Sequence, residues 1–152
     1  KGSLYHFFPR GKRQIVSEAM AVYSQRTLAL YGAALSKADA PGEKVRRLFQ
    51  IAARRLEESS FRQSCAGGAV SLDLDAELEV VRLAVSRYFE DWIDLLSEHF
   101  EFADRRRARS FGGLVLTAIQ GGYIRGRAEH STRPLKEAGE WLARVAEEEA
   151  AR

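Results

Sequence analysis

The chain contains only three prolines, Pro9, Pro41 and Pro134, in 152 residues. Proline breaks a helix interior but is tolerated in a first turn. Each proline therefore marks a boundary, and the intervals between them are free to be helical. Those intervals are rich in Ala, Leu, Arg and Glu, which favour helices. The fold expected is all-α, and the length suits one domain-sized core.

Apolar spacing sharpens this reading. A long helix is expected over 12–38, with Ile15, Ala19, Val22, Leu30 and Ala33/Ala34 as its stripe. Asp39-Ala40-Pro41-Gly42 is a break. The next helix runs to about Ser59, with Val45, Leu48, Phe49, Ala52 and Leu56 inward and Arg46, Arg47, Arg54 and Arg55 outward or paired. Residues 60–74 are irregular, because Gly67-Gly68 weakens any helix there; a short helical turn is expected at 69–72. From Asp75, a strong helix carries Leu78, Val81, Val85, Tyr88/Phe89, Trp92, Leu96 and Phe100 at three- and four-residue steps. Two further helices follow, over about 103–129 and 134–150. The first holds five glycines (112, 113, 121, 122, 126), each costing about 1 kcal/mol relative to Ala. Close approach of another helix is the usual compensation.

Several function classes find no support. The longest uncharged stretch, Ser110 to Ile124, is too short to span a membrane. The single cysteine, Cys65, forms no internal disulfide, which fits a reducing, cytoplasmic setting. His99 and His130 stand alone, so no metal site is expected. No nucleophile–base set or phosphate loop stands out, and neither an enzyme nor a cofactor is expected. The run Arg105-Arg106-Arg107-Ala108-Arg109 reads as a solvated or acid-paired surface, meeting Glu98, Glu101 or the terminal glutamates.

The first residues point elsewhere. In Lys1-Gly2-Ser3-Leu4-Tyr5-His6-Phe7-Phe8-Pro9, Leu4, Phe7 and Phe8 form one apolar face, leaving Lys1, Ser3, Tyr5 and His6 on the other. Such a short helix suits a DNA groove, its polar front donating to phosphates and bases. Charge agrees: the net charge is +3, yet residues 1–38 carry six basic residues against Glu18 alone. A basic end on a near-neutral body is what a phosphate-binding head on a regulatory body would show.

This segment resembles the end of the helix-turn-helix in TetR-family transcriptional regulators, which reads K-G-S-L-Y-H-x-F with a phosphate-contacting Lys at the start of the next helix. Lys1, Gly2, Ser3, Leu4, Tyr5, His6, Phe8 and then Lys12 match it. Phe8-Pro9-Arg10-Gly11-Lys12 is most similar to the LmrA/YxaF-like branch. Cys65 to Leu74 resembles that branch's cysteine and small apolar helix, with Gly67-Gly68 where Pro or bulkier residues are usual. The resemblance implies a TetR-type helical bundle with an incomplete helix-turn-helix in this chain. The expected division is a helix-turn-helix remnant at 1–11, a connecting helix at 12–38, and a ligand-binding and dimerisation domain at 39–152.

The resemblance also implies partners. Operator DNA would meet Lys1, Gly2, Ser3, Tyr5, His6 and Lys12. An apolar or aromatic small molecule would sit among Phe49, Phe61, Cys65, Phe89, Trp92, Gln120 and Tyr123, although aromatics at helical spacing also simply fill cores. A second copy would pair through the last two helices, using Phe111, Gly112, Leu114, Val115, Ala118 and Gly122 of one and Leu135, Ala138, Trp141, Leu142 and Val145 of the other. The same faces are also able to pack inside one subunit. The implied function is a repressor released from DNA when a ligand tilts the connecting helix. The alternative is a helical small-molecule-binding or dimerisation module with no DNA role.

Overall fold

The computed structural model describes residues 6–72, 74 and 78–152. Six helices are formed among them: α1 Lys12–Leu35, α2 Pro41–Glu58, α3 Ala66–Ser71, α4 Glu79–His99, α5 Arg105–Glu129 and α6 Arg133–Ala150. The expected start of α4 at Asp75 falls outside the described residues.

Local chemistry explains the boundaries. A turn closed by Gly11 N–H to the Phe8 carbonyl (2.8 Å) leads into α1, and Gly11 takes φ 68°, where a side chain would strain the backbone. Pro41 opens α2. Asp104 caps α5, accepting from the Arg106 amide at 2.7 Å. The buried Lys44 donates from Nζ to the His99 carbonyl at 2.9 Å, placing a cation on the negative end of α4.

Helices α2 and α6 form the most extensive packing, and α1 against α4, α4 against α5 and α5 against α6 complete the bundle. Gly139 of α6 provides the notch for Phe49 of α2: a Cβ there would lie 2.7 Å from the Phe49 Cβ. Arg46 reinforces the same pair, reaching Glu140 (3.2 Å) and Glu147 (3.5 Å). The inward sets expected on α2 are all buried, as are Val81, Val85, Tyr88, Trp92 and Leu96 of α4 and Phe100 just after it. The arginine run is acid-paired where it meets the body: Arg109 forks onto Glu90 and Asp94, and Arg107 reaches Glu149.

Three expectations are corrected. The stripe read for α1 is not its inward face: Val22 and Leu30 are exposed, while Met20, Ser24, Thr27, Tyr31 and Leu35 are buried. Apolar residues are spread around α1, so periodicity alone selects no face. The glycine pair lies inside α3, which begins at Ala66 rather than 69. Gly67 is required by close approach, since a Cβ would stand 2.6 Å from the Tyr88 ring. Finally, Phe111, Gly112, Val115, Gly122, Leu135 and Leu142, read as interface residues, are buried within the single subunit. Gly122 abuts the Leu135 side chain, so this glycine compensation is internal.

Gly122→Ala should therefore lower stability by about 1–3 kcal/mol in urea unfolding, although Ala is the better helix former by about 1 kcal/mol. A variant as stable as the parent or more so would show that α5 and α6 do not meet this closely.

Candidate functional site

Helices α1, α4 and α5 converge on an interior cavity of about 20 Å³, room for one water-sized group. Most of the residues around it carry a polar group. Tyr23, Thr27 and Tyr31 come from α1 at successive four-residue steps, so one helix face supplies all three. Tyr88 and Trp92, again four apart, come from α4. Leu116, Ile119, Gln120 and Tyr123 of α5 face them, with Cys65 before α3 and the half-buried Arg55 in the last turn of α2 completing the lining.

These groups act on one another. The Cys65 Sγ and Tyr88 hydroxyl are 3.2 Å apart and share a hydrogen bond. Burial raises Tyr88 ionisation well above the ordinary range, and the neighbouring Cys65 adds to it. Tyr31 is likewise raised, first by burial and then by the neighbouring Tyr123. Tyr123 is raised by burial, against the easing effects of the Tyr31 hydroxyl and the Arg55 charge. Trp92 Nε1 is close enough to the Tyr88 oxygen to ease its ionisation, yet lies outside hydrogen-bond geometry and has no partner. Ser17 Oγ and Ser24 Oγ are also buried without partners, so all three such side-chain atoms among the described residues lie on α1 or α4.

Of the seven residues expected around a ligand, Cys65, Trp92, Gln120 and Tyr123 meet at this cavity. Phe49 is core between α2 and α6, and Phe89 packs beside Tyr88. Phe61 takes φ 60° in the corner after α2 and lies against the His130 ring, 5.0 Å between centroids. Sequence reasoning missed Tyr23, Thr27, Tyr31, Tyr88 and Arg55 as lining residues. The 23-27-31 spacing was a visible signal, but a polar face on a long helix reads as solvent-facing.

At the other end, Lys1, Gly2, Ser3 and Tyr5 lie outside the described residues. His6 is exposed with helical backbone, and Lys12 is exposed at the first position of α1. On the outer surface of α5 and α6, Leu114 (51% exposed), Ile124 (67%), Trp141 (66%) and Val145 (36%) present apolar side chains, with Ala118 and Ala138 half-buried. Ile124 was not anticipated. Gly121 belongs to this outward face and has nothing within 4 Å of a would-be Cβ.

Comparison with known proteins accounts for this architecture. Residues 41–141 match the family described as transcriptional regulator LmrA/YxaF-like, C-terminal domain. An uncharacterised HTH-type transcriptional regulator of Mycobacterium tuberculosis is 27% identical over 143 residues, covering 89% of this chain and 71% of that protein. The HTH-type regulator YxaF of Bacillus subtilis is 23% identical over 138 residues, covering 89% and 72%. A TetR transcriptional regulator from Legionella pneumophila shares the fold, with a TM-score of 0.73 at 17% identity over 94% of this chain and 77% of that one. The chain belongs to the TetR-family transcriptional regulators, in the LmrA/YxaF-like branch, and is a DNA-binding transcriptional regulator. This class generally works without catalysis. No helix among the described residues is long and apolar enough to cross a membrane.

The cavity's tyrosines give a pH signature. Tyr31, Tyr88 and Tyr123 stay neutral in the folded protein above the pH of about 10 at which an unfolded chain ionises them. Their contribution to stability is complete below about pH 10 and is lost as pH rises through the raised folded values. The urea midpoint should fall above about pH 10, with these three phenolates appearing only on unfolding. Ionisation of all five tyrosines at ordinary pH in the folded protein would contradict the buried cluster.

Proposed function

We propose that the chain is the sensing and pairing body of a homodimeric, cytoplasmic repressor that leaves its operator when a small molecule occupies the cavity. In this reading residues 1–11 belong to the DNA-binding domain, 12–38 connect, and 39–152 bind ligand and the second copy. The carrying observation is that α1 supplies one wall of the cavity through Tyr23, Thr27 and Tyr31 and begins at Lys12, directly after the segment whose motif resembles the end of a helix-turn-helix. A ligand that spreads this wall moves the helix that aims Lys1, Gly2, Ser3, Tyr5, His6 and Lys12. Such a ligand acts only through unequal affinity for the two arrangements, so it binds the DNA-free form more tightly.

The outward apolar face supports pairing. Isolated exposed apolar residues are ordinary, but Leu114, Ile124, Trp141 and Val145 sit on the two helices that pack together. An isologous two-fold contact through them would place two DNA-reading ends on one face. Gly121, with open space in one subunit, is where a partner helix has room to approach.

Selection from random duplexes by the protein carrying a complete helix-turn-helix should enrich a pseudo-palindrome with half-sites about one helical turn, roughly 34–36 Å, apart. Ile124→Glu should give monomers by sedimentation and lose that enrichment. Enrichment of no sequence would favour a small-molecule-binding module without a DNA role; a monomeric parent protein would refute the pairing.

A further inference from the structure

Building on the ligand reading above, we infer that the cavity selects a small organic anion, an aromatic carboxylate or an equally acidic phenol, held by Arg55 and Trp92. The lining contains a guanidinium and no carboxylate. Every other arginine on α2 has an acid partner: Arg46 with Glu140 and Glu147, Arg47 with Glu43, and Arg54 with Glu58. Among the described residues no carboxylate pairs with Arg55, although it is half-buried and its charge reaches the Tyr31 and Tyr123 hydroxyls.

A second, independent observation comes from α4. Trp92 is 4% exposed, lines the same cavity, and its Nε1–H has no partner. Indole N–H only donates, and guanidinium only donates. Both therefore ask for an acceptor, and a charged acceptor makes the stronger bonds. The hydroxyls of Tyr31 and Tyr123 remain protonated and extend the donor set. A cationic ligand would meet Arg55 with no acid to offset it. A neutral one would leave Arg55 without a counter-charge in a half-buried site.

The cavity is far smaller than a benzene ring, so binding needs an opening. Opening of the α1–α4 seam, where the unpartnered hydroxyls of Ser17 and Ser24 lie, would supply that space. Anion capture and movement of α1 are thus one event.

The test uses benzoate, benzamide and benzylamine, which share a ring and differ in charge. The chain has two tryptophans, so its indole N–H spectrum holds two signals, assigned with Trp141→Phe. Benzoate should move the Trp92 signal and leave Trp141 in place, binding about tenfold or more tighter than benzamide. Arg55→Gln should bring benzoate down to the benzamide level, while Arg55→Lys keeps part of the preference, which separates lost charge from lost folding. Benzamide or benzylamine binding as tightly as benzoate would overturn the anion inference and leave the ligand cavity standing. If none of the three moves the Trp92 signal, the cavity reading itself falls.

Discussion

The structure depends on how α1 is held. Most helices of this bundle are fixed by apolar faces, but α1 meets the body through Ser24, Thr27 and Tyr31 as much as through Met20 and Leu35. Its partner α4 contributes Tyr88 and Trp92 to the same seam. Buried polar groups stabilise only when paired, and leaving one unpaired costs about 1–3 kcal/mol. Ser17, Ser24 and Trp92 each leave a polar atom unpaired there. The seam is therefore held more weakly than its buried area suggests, and it borders the small cavity lined by α1, α4 and α5.

The rest of the fold is tied together at specific points. Phe49 seats in the Gly139 notch, Leu135 closes on Gly122, and Arg46 ties α2 to α6 across two glutamates. Lys44 pins the end of α4 to the start of α2 through the His99 carbonyl. Arg109 locks α4 to α5 by gripping Glu90 and Asp94 together. The proposed switching rests on this asymmetry between a closely packed frame and a helix whose seam leaves polar atoms unpaired.

How much was readable in advance follows the same division. On α2 and α4 the apolar residues concentrate on one face, despite exposed Val80 and Leu83 on α4, so Val45, Leu48, Phe49, Leu56, Val81, Val85 and Leu96 were legible. On α1 apolar residues lie all around, and the true inward face is marked by Ser24, Thr27 and Tyr31, which resemble solvent-facing residues. Helices α5 and α6 each carry two apolar faces. Periodicity finds both but does not tell which one meets the same chain, so Leu135 and Gly122 were read outward while Ile124 was overlooked. Arg55 was hidden among four similar arginines of α2; only packing shows that its neighbours found acids and it did not. The segment from Lys1 to Lys12 was read from its motif alone, and Lys1, Gly2, Ser3 and Tyr5 lie outside the described residues.

The most direct test of this account is native-state amide hydrogen exchange on α1 and α2. Amides of α1 between Ser17 and Tyr31 should exchange through an opening that leaves Val45 to Leu56 of α2 protected. Its free energy should lie below global unfolding by roughly 1–3 kcal/mol for each unpaired group released. Exchange of α1 and α2 at one common free energy would contradict the account, because α1 would then be part of the frame rather than the element that moves against it.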